Sequence, residues 1–149
     1  MHIESLLSLE RTRCQAAGSS KKRTLEQLAE LIAQGSEAID AEKLFTQLIN
    51  RERLGSTGIG GGIAIPHCRF PTQGKTIGAL LTLDQPIDFD AVDGQPVDII
   101  FAMLVPENAE NEHLQTLAHL AELLQNAEFV NALRAARTDE ALYQTALNP

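Results

Sequence analysis

Hydrophobic positions along this chain follow helical spacing near both ends and run almost unbroken in the middle. Leu25, Leu28, Ala29 and Ile32 recur at three- and four-residue intervals within KKRTLEQLAELIAQ, which predicts an amphipathic helix over residues 21–34. Ser19 and Ser20 offer an N-cap before it, and Gly35 offers a stop. A second stripe, Leu44, Phe45, Leu48 and Ile49, lies in AEKLFTQLINRE, which Asp40 caps and which ends near Arg53-Leu54-Gly55. The pattern is helical again from Asn111 to Gln125. Two shorter helices follow, AEFVNALRAA capped by Asn126 and DEALYQTAL capped by Thr138.

The segments Ile77–Leu83 and Val97–Leu104 are near-continuous apolar runs between turn signals, as expected of strands covered on both faces. Between them PIDFDAVDGQP reads as a loop or hairpin, and Pro106 closes the second run. Ile63–Ile65 predicts a short strand opening onto His67, and the alternating RTRCQAA (Arg11–Ala17) predicts an edge strand. Helices before, after and between strands imply an α/β layer arrangement. Without a repeat or linker, residues 1–149 form one domain.

Composition narrows the function. A net charge of -8 argues against a nucleic-acid surface, because phosphate backbones are bound through Lys and Arg. The one basic cluster, Lys21-Lys22-Arg23, reads as solvated cations at a helix start. Two cysteines make no disulfide framework, and no run approaches the roughly 18 apolar residues of a membrane span. A soluble, cytoplasmic protein without membrane insertion is the expectation. An acidic protein that binds phosphate must hold a local pocket against its own field.

The chemistry concentrates in TGIGGGIAIPH, residues 57–67. A Gly-rich backbone can approach a bound anion closely, and a histidine delivered behind a proline is held in place. Neither a Walker A loop nor a dinucleotide fingerprint fits, because Ile63 follows Gly62 and the third glycine of G-x-G-x-x-G is missing. Residues alone leave two readings open: a flexible turn feeding a strand, or a phosphate-binding loop. Arg51 and Arg53, at the end of the second helix, either complement its negative pole or reach whatever the loop binds. With His113 as origin, a step of about 100° per residue puts Leu117, Leu120 and Leu124 within roughly 40° of it. His113 thus sits on the apolar stripe, in the first turn, where an anion is welcome. His119 falls on the polar side. His67, Cys68 and His113 lack the spacing of a metal site, and no G-x-S-x-G elbow supports a hydrolase. Adjacent strand residues face opposite ways, so Cys68 cannot pair with His67.

RERLGSTGIGGGIAIPH (Arg51–His67) resembles the active-site signature of enzyme IIA components of the fructose/mannitol class in the bacterial phosphoenolpyruvate-dependent phosphotransferase system. The chain looks most like the nitrogen-regulatory branch, from about Ser19 onward and through NEHLQTLAHLAELL. That resemblance implies a mixed β-sheet flanked by helices on both faces. It implies phosphorylation of His67 by an HPr-like phosphocarrier protein (NPr), with His113 and Arg51 beside it. Amides of Gly60, Gly61 and Gly62 are expected to join them on the phosphate, and the other nitrogen of His67 to donate to a backbone carbonyl. No cofactor and no metal are expected, and regulated partners would be potassium transporters or sensor kinases. The alternative is a sugar-specific IIA that passes the phosphoryl group to a IIB cysteine. A third reading is an anion-binding module that forms no covalent bond.

Overall fold

The computed structural model describes residues 2–109 and 112–149. Its elements are β1 (Thr12–Ala16), α1 (Lys21–Gln34), α2 (Ala41–Leu54), β2 (Gly58–Gly60), β3 (Ile63–Ala64) and β4 (His67–Phe70). They continue with β5 (Ile77–Ile87), β6 (Val97–Pro106), α3 (Glu112–Leu123), α4 (Ala127–Ala135) and α5 (Asp139–Ala146). Two 3-10 turns, Ile3–Ser5 and Leu9–Arg11, precede β1. Among the described residues no helix is long and apolar enough to cross a membrane.

The six strands form one mixed sheet in the order β1-β5-β6-β3-β2, with β4 also on β6. β5 and β6 are antiparallel, whereas β1 runs parallel to β5, and β3 and β4 run parallel to β6. The apolar runs are continuous because both faces are covered. Ile100, Ala102 and Leu104 pack with Leu25, Leu28 and Ile32 of α1 and with Leu44 and Leu48 of α2. Ile99 and Phe101, one step out of phase, pack with Leu120, Phe129, Leu133 and Leu142 of the last three helices and with Leu124 just after α3.

Helix starts follow the sequence closely. Ser20, Asp40, Asn126 and Thr138 each accept a hydrogen bond from the backbone N–H three residues on, at 3.0–3.1 Å. The β5–β6 connection is the hairpin that the sequence allowed. The predicted strand Ile63–Ile65 is interrupted instead: Pro66 has no N–H for the ladder, so β3 stops at Ala64 and a new strand starts at His67. Asn111 lies outside the described residues.

The glycine run departs most from expectation. Gly58–Gly60 is a strand, antiparallel to β3, and Gly61-Gly62 form its turn with φ of +68° and +83°. This tip is tied down by charges. Gly61 N–H donates to Asp93 Oδ2 at 3.0 Å, and Gly61 C=O accepts from Arg134 Nη2 at 2.8 Å. Arg134 also forks onto Asp98, with Nε 2.9 Å from Oδ2 and Nη2 2.9 Å from Oδ1.

That geometry separates two neighbouring glycines. A Cβ at Gly61 meets nothing within 4 Å, whereas one at Gly62 lies 2.4 Å from Arg134 Nη2 and 3.0 Å from Asp98 Oδ1. Gly61→Ala should cost about 1–2 kcal/mol for its left-handed backbone. Gly62→Ala should cost about 1.5–3 kcal/mol more, by displacing the charged hydrogen bonds. Urea denaturation of the two variants measures the difference, and equal costs would refute the role given to Arg134.

Candidate active site

The break at Pro66 places the first candidate. Ile63 and Ile65 face the α3 side of the sheet, and His67 continues their alternation toward that helix. Cys68 and Phe70 face the opposite core. Pro66 C=O accepts from Met103 N–H at 2.9 Å, which fixes the turn against the central strand. Burial pushes the Cys68 thiol up to about 12, so it is an inert part of the core rather than a partner of His67.

His67 is half-buried, and its Nδ1 lies 2.8 Å from the carbonyl oxygen of Ile65. A carbonyl only accepts, so Nδ1 carries the proton and Nε2 keeps the lone pair. Burial first, then the charge of Arg51 and the second ring of His113, hold the imidazole below its ordinary titration range. The hydrogen bond to Ile65 and the charge of Glu52 pull the other way. The balance leaves a neutral, singly protonated ring at neutral pH.

An open cleft of about 320 Å3 lies before this ring, lined by Arg51, Ser56, Thr57, Ile59, Leu117 and Ala121, among others. Arg51 reaches it from the end of α2, where its Nη1 donates to Gly55 C=O at 2.9 Å. It therefore both caps the helix and presents positive charge to His67. His113, in the first turn of α3, is half-buried and acts electrostatically on His67. The three predicted catalytic residues thus converge.

The glycines do not converge with them. Gly62 accepts from the N–H groups of Asp98 and Ile99, whereas His67 pairs with Met103. Four residues of extended strand separate those levels, about 13 Å. Gly61 N–H is already on Asp93, so the hairpin tip at Gly60–Gly62 is tied to a carboxylate of its own chain. The other end of that hairpin returns to the cleft: Thr57 C=O accepts from Ile65 N–H at 3.0 Å.

The other cations have partners or surroundings of their own. Arg53 is exposed and lines a separate groove with Lys22 and Phe45. Arg69 Nη1 donates to the carbonyls of Pro106, Glu107 and Ala109, bracing the segment after β6. Lys21 is not simply solvated: its Nζ lies 3.0 Å from Glu52 Oε1 and 4.7 Å from the centroid of the Phe89 ring. Glu52 went unnoticed in the sequence. It is buried, its carboxylate accepting from Thr57 N–H at 3.1 Å and from the Thr57 hydroxyl. The signal was present, because 52 continues the four-residue spacing of the buried Leu44 and Leu48.

Residues 5–148 match the family described as "Phosphoenolpyruvate-dependent sugar phosphotransferase system, EIIA 2". The chain is 48% identical over 148 residues to a "Nitrogen regulatory protein" of Pseudomonas aeruginosa, covering 99% of this chain and 96% of the other. Among solved structures it is similar to nitrogen regulatory protein IIA-Ntr from Neisseria meningitidis, at TM-score 0.88 and 36% identity, over 96% of this chain and 97% of that one. The mannitol IIA of Escherichia coli shares the fold at TM-score 0.74 and 17% identity, over 93% and 97%.

The electrostatics predict how His67 titrates. Ring-proton NMR should place its midpoint below about 6.5, and Arg51→Met should move it up by removing a repelling charge. Above that pH the ring is neutral folded and unfolded alike, so it contributes nothing. As pH falls, the unfolded chain takes up the proton first and stability is lost until the folded ring titrates too. His67→Gln lacks this linkage, so its urea midpoint should fall less than that of the unaltered protein across the same window.

Proposed function

Because the chain belongs to the EIIA type-2 family of the phosphoenolpyruvate-dependent sugar phosphotransferase system, we propose that it carries a phosphoryl group on Nε2 of His67. The donor is the phosphohistidine of an HPr-like carrier protein (NPr). The observation that supports this most is the Nδ1–H bond to Ile65, which leaves Nε2 as the nucleophilic nitrogen of a ring at an open cleft.

Phosphoryl transfer through a loose transition state needs alignment and charge stabilisation more than covalent assistance. Arg51 supplies a guanidinium for the equatorial oxygens, and His113 a second ring at the positive end of α3. Depressed basicity keeps His67 free of a competing proton, and Pro66 limits its motion.

The likeness to nitrogen regulatory proteins favours a signalling role over sugar delivery. Ile59, Leu117, Ala118 and Ala121 line the cleft and give it an apolar character. Phosphorylation adds roughly -1.5 to -2 charges there, enough to repel a partner whose docking buries His67. Regulators of potassium uptake or sensor kinases in the cytoplasm are the partners this reading expects.

Intact mass after incubation with phosphoenolpyruvate, enzyme I and the carrier tests the core of the proposal. One phosphoryl group should appear on the protein and none on His67→Ala. Arg51→Met should slow uptake by roughly 10²–10³, the range for losing one transition-state donor. Label on His67→Ala would sink the assignment, and no label on the unaltered protein would leave only an anion-binding module.

A further inference from the structure

Glu52 is a charged side chain that α2 carries into the interior, on the same face as Leu44 and Leu48. One oxygen accepts from Thr57 N–H at 3.1 Å and the other from the Thr57 hydroxyl. Lys21 Nζ, 3.0 Å from Oε1, compensates the buried charge. From Thr57 the chain of contacts continues inward: its carbonyl takes Ile65 N–H at 3.0 Å, and the Ile65 carbonyl takes Nδ1–H of His67 at 2.8 Å. Three successive hydrogen-bonded links, through Thr57 and Ile65, thus connect the ion pair of Glu52 with Lys21 at the start of α1 to the reactive ring.

We propose that Glu52 is a positioning residue for phosphoryl uptake, holding the Ile65 carbonyl in place through Thr57 and standing as counter-charge behind the His67 ring. The inference rests on His67 being the phosphoryl acceptor. As Nε2 gives its lone pair to phosphorus, the donor histidine's N–P bond breaks and its electron pair returns to that ring. The Nδ1 proton stays on His67, so the accepting imidazole becomes cationic and the donor imidazole neutral. Arg51 draws the phosphoryl group in but opposes this positive charge, and His113 on α3 opposes it too. Glu52 is the anion that offsets them, and its field favours the charged ring.

A loop clamp alone does not need an ion pair. Neutral side chains can satisfy the same N–H and O–H, and a buried pair is a poor source of stability once desolvation is counted. The charge is explained by the ring it faces.

The test separates clamp from charge. Glu52→Gln keeps the shape and removes the charge. Lys21→Met/Glu52→Gln removes both buried charges and strands only the exposed Asp90 carboxylate, 3.6 Å from Lys21 Nζ, so it remains folded if the single variant does not. In both, 15N shifts of the ring should keep the Nδ1–H tautomer, the His67 titration midpoint should fall, and uptake from the phosphorylated carrier should slow roughly tenfold or more. Thr57→Val cuts the hydroxyl arm of the clamp and should mix the tautomers without that fall in midpoint. An unchanged midpoint and rate in the folded double variant would overturn the charge role, and an unmixed tautomer in Thr57→Val would overturn the clamp. The carrier reading fails separately: if the unaltered protein takes no phosphoryl group, the ring shifts and midpoints still decide what Glu52 does.

Discussion

The hydrogen bond from Nδ1 of His67 to the carbonyl of Ile65 is the constraint on which the site depends. It exists because Pro66 interrupts the ladder between β3 and β4 and turns the Ile65 carbonyl back toward the following side chain. An uninterrupted strand would spend that carbonyl on a neighbour and leave the ring free to choose its tautomer. Here one nitrogen is committed, and the other has its lone pair available at neutral pH. The sheet supplies the rigidity: β4 lies parallel on β6, the most enclosed strand, with Met103 N–H bonded to Pro66 C=O.

Around that ring the charges are arranged as a compromise. On the proposed reading His67 must stay unprotonated, which burial, Arg51 and His113 favour, yet tolerate positive charge once bonded. Arg51 is suited to its part by position. It ends α2, where a cation complements the helix dipole, and its bond to Gly55 C=O holds the guanidinium still without occupying all its donors. The helix-capping and anion-binding readings of this residue are therefore compatible. The protein's overall charge of -8 makes such local arrangement necessary, since the global field repels phosphate.

Much of this was legible in the sequence. The stripe of α1 and its Ser20 cap gave residues 21–34, and the 100° step placed His113 on the face with Leu120 and Leu124. These are local regularities. What was not legible depends on distant residues. The glycine run has the composition of an anion-binding loop, and it does bind anionic groups, but those are the carboxylate of Asp93 and, through Arg134, that of Asp98. Nothing near Gly61 in sequence announces a carboxylate thirty residues away. Lys21 looked solvated for the same reason, its partner Glu52 lying on another helix.

The tethered hairpin tip and the buried ion pair answer one problem from two sides. The segment from Gly55 to Gly62 carries the Thr57 carbonyl, which holds Ile65 and through it the ring, yet it is rich in glycine and offers few side chains that pack. Glycine lets this chain make a tight hairpin but leaves its conformation under-determined. Arg134 with Asp93 and Asp98 fixes the far end, and Glu52 with Lys21 fixes the near end. Hydrogen bonds resist displacement directionally where apolar packing would let the loop slide, and at the near end the charge of Glu52 also acts on the ring. The cost of partly burying those charges is therefore met where a displacement of the loop would be passed directly to the His67 ring.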